Sequence, residues 1–140
     1  MINFNYKYEE VFNNIKNYIH KYYPNAKVIK HRAFKTQYPC IVVEENSNIL
    51  GSMTKDSYGA EHIRELSYEI TIYAIDDVTN QKTSFEICDE LSQMVLELMQ
   101  KHYRMQGGVD AKIPFINDQN ATQYTLHFSC QWYMNKNKVY

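Results

Sequence analysis

At 140 residues, 44% of them hydrophobic and 22% charged, the chain has the size and composition of a single globular domain. A formal charge of −1 supplies no basic field for nucleic acid and no polybasic patch for anionic lipid. No apolar run reaches membrane-span length, and the start Met1-Ile2-Asn3-Phe4-Asn5 lacks the regions of a signal peptide, so synthesis in the cytoplasm is expected.

The first predicted element is a helix over Tyr6–Tyr22. Val11, Ile15, Tyr18 and Tyr22 recur at helical spacing, and Phe12 and Ile19 widen the stripe. Glu9 and Glu10 near its start and His20 and Lys21 near its end suit the helix dipole, and Pro24 ends it. Residues 26–34 alternate weakly and read as a strand. Residues 38–45 read as another, built on Cys40-Ile41-Val42-Val43 after Pro39. Residues 46–61 read as a long loop that carries Ile49, Leu50, Met53 and Tyr58. A purely solvated loop has no use for four such side chains; they either tuck back onto the domain or dock onto a neighbouring subunit.

Residues 66–75 alternate cleanly. Leu66, Tyr68, Ile70, Ile72 and Ala74 share one face, and Ser67, Glu69, Thr71 and Tyr73 share the other, the pattern of a half-buried antiparallel strand. A polar turn over 76–80 leads to a long helix predicted for 83–104, roughly 33 Å at about 1.5 Å per residue. Ile87, Cys88, Leu91, Met94, Val95, Leu98 and Met99 fall on one side, and Glu86, Glu90, Gln93, Glu97, Lys101 and Arg104 on the other. Thr83 with Glu86 has capping-box spacing, and Gly107-Gly108 reads as the stop. Residues 109–116 form an expected edge segment containing Pro114. The last strand covers 123–133, with Tyr124, Leu126, Phe128, Cys130 and Trp132 facing inward. The tail 135–140 is polar and basic and is expected to be mobile.

This order predicts one α+β domain over residues 1–140. It has a mostly antiparallel sheet of four to five strands, a long helix packed across one face and a shorter N-terminal helix. The chemistry-bearing residues form no catalytic motif. Histidines 20, 31, 62, 102 and 127 are scattered, and His127 and Cys130, three apart on a strand, face opposite sides. Asp76 and Asp77 occupy a turn, while Glu86 and Glu90 belong to the solvent face of a helix. Gly51-Ser52-Met53-Thr54-Lys55 lacks the glycine spacing of a phosphate loop. No catalytic residue, cofactor, metal or enzymatic activity is therefore expected. The three cysteines, Cys40, Cys88 and Cys130, read as buried small hydrophobes. The 13 tyrosines reflect either interface chemistry or the bias of an AT-rich genome.

The order of helix, strands, long loop, the strand Leu66-Ser67-Tyr68-Glu69-Ile70-Thr71-Ile72-Tyr73-Ala74, long helix and closing strand Gln123-Tyr124-Thr125-Leu126-His127-Phe128-Ser129-Cys130-Gln131-Trp132 resembles the tail terminator (tail completion) proteins of long-tailed bacteriophages and phage-tail-like particles. The resemblance covers most of the chain. It implies a structural protein made in the bacterial host cytoplasm that forms a ring, expected to be a hexamer, on the tail tube. Its implied partners are other copies of itself, the tail tube protein, and a head connector, neck or sheath protein, with no specific nucleic-acid or membrane binding. That family has no invariant chemical motif, so the interface candidates come from this sequence: Ile49, Leu50, Met53 and Tyr58 of the loop, and Lys136, Lys138 and Tyr140 of the tail. The alternatives are another neck or connector protein, or a small cytoplasmic ligand-binding domain or enzyme.

Overall fold

A computed structural model of the protein describes residues 6–31, 37–50, 63–116, 120–133 and 138–139. Helix α1 spans Tyr6–Tyr22, as its apolar spacing requires. It buries Val11, Phe12, Ile15 and Ile19, whereas Tyr22 turns outward with 66% of its surface exposed. The buried stripe thus lies one position round from the expected one. Tyr8, one turn before Phe12, donates from its hydroxyl to the carbonyl of Val43 at 2.6 Å.

Strand β1 (Lys27–Ile29) runs parallel to β2 (Cys40–Leu50), which pairs antiparallel with β3 (Ile63–Ile75). After helix α2 (Ser84–Leu96) and its π-helical continuation Glu97–His102, β4 (Gln106–Ile116) and β5 (Asn120–Tyr133) form a hairpin. The sheet order is β1-β2-β3-β5-β4, mixed but mostly antiparallel. β5 inserts between β3 and β4 and pairs with β3 from Ile63↔Tyr133 to Ile75↔Ala121. The fold is the expected α+β one, with the longer helix across one face.

Two expectations on the loop and tail need correction. Residues 46–50, read as loop, belong to β2, with an irregularity in register between Glu45 and Ser47. Their polar run has poor strand propensity, but the hydrogen-bond ladder to residues 64–67 of β3 overrides it. In the tail, Lys138–Val139 forms strand β6 and pairs with Tyr133 and Trp132, so this part of it is held against the sheet. Since β3 occupies the other side of β5 along the same stretch, β6 continues the lane of β4.

The end of the long helix is also built differently from expectation. Thr83 caps α2 by accepting the Glu86 amide at 3.2 Å, as the spacing predicted. The carboxylate of Asp76 accepts the Ser84 amide at 2.7 Å, a second cap supplied by the preceding turn. At the other end Arg104 takes a left-handed φ of 56°, and the Tyr103 and Met105 amides bond to the carbonyls of Leu98 and Met99. Arg104 therefore stops the helix. Gly107 and Gly108 are already in β4. Gly107 has φ 136°, and a Cβ there would lie 1.9 Å from the carbonyl oxygen of His127. The glycine permits the close approach of two strand backbones.

The main core fills the space between helices and sheet. Leu66, Tyr68, Ile70, Ile72 and Ala74 of β3 meet Tyr124, Leu126, Phe128 and Cys130 of β5 beneath Ile87, Cys88, Leu91, Val95 and Met99 of the long helix. The predicted polar face of that helix is exposed throughout. β3 is more deeply covered than a one-sided strand. On the far face Tyr73 packs with Cys40 and Val42, flanked by Ile29 and Tyr38, so that Thr71 and Tyr73 are buried as well. The outward alternation of β3 hid this second cluster because Thr and Tyr fit either side of a sheet.

Candidate functional site: an open cleft at one end of the sheet

The end of α1, the segment before β2 and the turn from β3 to α2 converge on an open cleft of about 1000 Å³. Tyr22, Tyr23 and Pro24 line it from the helix end, Gln37, Tyr38 and Pro39 from the strand entry, and Ile75 to Asn80 with Lys82 and Glu90 from the turn and helix. The turn is a tight hairpin in which the Asp77 and Lys82 backbones exchange two hydrogen bonds of 2.8 and 3.0 Å. Gln81 takes φ 55° to close it. That closure pushes Val78 outward until 86% of its surface is exposed.

The carboxylates and the lysine of the cleft lining each have a hydrogen-bond partner. Asp76 caps the helix, and Asp77 accepts the Asn80 side chain at 2.8 Å and the Asn80 amide at 3.2 Å. Lys82 bridges to both oxygens of Glu90, at 3.1 and 2.9 Å, and Glu90 also accepts the Tyr23 hydroxyl. Hydrogen bonds from Asn80 hold Asp77 below its ordinary value, and the Tyr23 hydroxyl, then Lys82, does the same for Glu90. A general acid at neutral pH needs a carboxyl moved upward; these two are moved the other way. The group acts as a brace between α1, the hairpin and α2.

That brace sets an acid limit. A carboxyl with a lowered folded-state pKa adds stability that is complete above its unfolded value, here 3.8 for Asp77 and 4.5 for Glu90, and lost as pH falls through the folded value. The urea midpoint is expected to hold down to about pH 5 and to fall below about pH 4. Glu90→Gln should flatten part of that fall, while costing at most about 1 kcal/mol at neutral pH because the pair is exposed. An unchanged acid slope in Glu90→Gln would show that the pair does not brace the fold.

The other chemistry-bearing residues are dispersed. His20 contacts the Ala26 carbonyl at 2.8 Å, and His102 packs edge-on against Tyr103. His127 lies on the far face of the sheet between Glu69, 3.3 Å from Nε2, and Asp110, at Nδ1. Among the described residues no group of three or more His, Cys, Asp or Glu is arranged to hold a metal ion. All three cysteines are buried thiols, and burial pushes Cys88 and Cys130 up to about 12. No described helix is long and apolar enough to cross a membrane.

The described interface candidates, Ile49, Leu50 and Lys138, do not line the cleft. Ile49 and Leu50 pair with Glu65 and Arg64 at the opposite end of β2, and Lys138 pairs with Tyr133. Met53, Tyr58, Lys136 and Tyr140 lie outside the described residues. Sequence reasoning missed the cleft itself. Its available signals were Val78, an apolar residue in an otherwise polar turn, and the aromatic pair Tyr22-Tyr23 directly before Pro24. No protein-family model and no curated protein matches the chain.

Proposed function

We infer that the protein is a structural assembly subunit of the tail-terminator kind, which forms a ring on a tail tube and joins it to a head, neck or collar component without catalysis. The carrying observation is the sheet. A helix, strands, a long helix and a closing strand, from which the resemblance is drawn, are present in this order, with residues 46–50 in β2 rather than in a loop, and several strands present outer edges with no strand partner among the described residues. They include the terminal strands β1 and β4, and β2 beyond the three residues that β1 covers. Such edges offer rows of backbone donors and acceptors to a neighbour. A contact between two different surfaces of identical subunits closes into a ring when the rotation allows. A ring that matches the tube on one side and differs on the other ends tube growth by shape alone.

The test is mass in solution and on tubes. A particle several times the 16.7 kDa chain mass, formed alone or on purified tail tubes, is the expected result. Met53→Ser combined with Tyr58→Ser should keep the thermal transition and abolish that particle. A chain that stays monomeric and ignores tubes would sink the proposal and favour a small ligand-binding domain using the cleft.

A further inference from the structure

β1 and β4 are the terminal strands of the sheet, and neither outer edge has a strand partner among the described residues. β1 is three residues long, Lys27–Ile29. β4 is longer, yet much of its edge is unsuited to pairing. A register irregularity at Asp110 interrupts it between Val109 and Ala111. Gln100 already donates to the Gly107 carbonyl at 2.7 Å, and Pro114 has no N–H to give. Between the bulge and the proline lie Ala111, Lys112 and Ile113, a stretch as long as β1.

Strand direction suits a contact between these two stretches. β1 and β2 are parallel, and β2, β3, β5 and β4 then alternate, so β4 runs opposite to β1. Two copies set side by side in one orientation bring β4 of the first antiparallel to β1 of the second. The faces agree as well. Lys27 and Ile29 pair with Cys40 and Val42, and Ala111 and Ile113 with Thr125 and Gln123, which places all four on the face of the sheet away from the helices. Val28 and Lys112 share the helix face. In this pairing Ile113, which is 47% exposed, meets the aliphatic stem of Lys27, and Ala111 meets Ile29.

We propose that β1 of one copy adds to β4 of the next, Lys27–Ile29 lying antiparallel to Ala111–Ile113 with Lys27 opposite Ile113, so that one sheet continues from subunit to subunit. Two different edges of the chain are joined, so the contact is head-to-tail and propagates around a ring. The bulge and the proline restrict the added strand to the length of β1, which disfavours indiscriminate edge-to-edge pairing. The inference rests on the ring-forming reading above and gives that reading a specific interface.

Cross-linking tests it. Cys40, Cys88 and Cys130 are buried, so a thiol introduced at the surface reacts alone. Lys27→Cys and Ile113→Cys are made singly and together, and thermal melts confirm that each variant folds like wild type. A short bismaleimide is then applied in solution and on purified tail tubes. The double variant should give a ladder of cross-linked multimers, since directly opposed strand residues bring their Cβ atoms to about 5 Å. A mixture of the two single variants should stop at linked dimers, because each chain then offers one thiol, and either single variant by itself should stay unlinked. A linked dimer from Ile113→Cys alone would show β4 pairing with β4 across a two-fold axis and overturn the inference. Wild type that sediments as a multimer, with no ladder from the double variant, overturns it too and leaves the ring to another contact. Wild type that is monomeric even with tubes removes the ring reading and the inference together.

Discussion

Gly107→Ala is expected to cost about 4 kcal/mol or more, while the neighbouring Gly108→Ala stays within about 1 kcal/mol. The two glycines are adjacent in β4 yet meet different surroundings. At Gly107 the φ of 136° is one that residues with a side chain rarely adopt. An added Cβ would meet the carbonyl oxygen of His127 at 1.9 Å and the Cα of Phe128 at 2.9 Å. Both are backbone atoms of the partner strand, so β4 and β5 would have to separate. Phe128, fully buried opposite Gly107, would lose packing with them. At Gly108 the nearest atom is Leu96 Cδ2 at 3.9 Å, an ordinary contact. Urea unfolding of the two variants makes the comparison. Equal losses would mean that β4 does not approach β5 as closely as the register requires.

Leu91→Ala is expected to lose about 3 kcal/mol, or roughly 10 °C in Tm. Leu91 is wholly buried on the sheet-facing side of α2, level with the other members of the main core. Truncation removes apolar area from a site enclosed by helix and sheet, and a cavity remains because those elements are tied at their ends by the Thr83 and Asp76 caps and by the Arg104 turn. Phe85→Ala, also in α2, should cost well under half as much, because Phe85 is half exposed. A scanning calorimetry trace in which both variants melt alike would show that α2 is rotated from the arrangement described.

Periodicity located the long helix and the two alternating strands because α2, β5 and the 66–70 half of β3 bury one face more fully than the other, and a one-sided burial pattern has a period that survives in the sequence. The α2 core residues Ile87, Cys88, Leu91 and Val95 and the β5 residues Tyr124, Leu126, Phe128 and Cys130 are found where their spacing places them. The stop of the helix was misread for a related reason. Gly107-Gly108 is the commonest punctuation after a helix, but Arg104 took the left-handed position, and the glycine was needed for a strand-to-strand approach between residues distant in sequence. Only the fold brings those backbones together.

The candidate cleft was less legible than the core. Tyr22 and Tyr23 end a helix, Val78 occupies a turn, and Tyr38 precedes a strand; nothing local relates them. By itself the sequence determined the α+β class, the two helices, the inward faces of β3 and β5, and the absence of any recognisable catalytic motif. Local patterns carry that information, since they record which side of each element leaves water. The tertiary structure alone decided the strand order β1-β2-β3-β5-β4, the extension of β2 through residues 46–50, the second cluster behind β3 and the meeting of three chain segments at the cleft. Each depends on which partner a strand or turn meets across the sheet, and long-range pairing leaves no period in the chain that forms it.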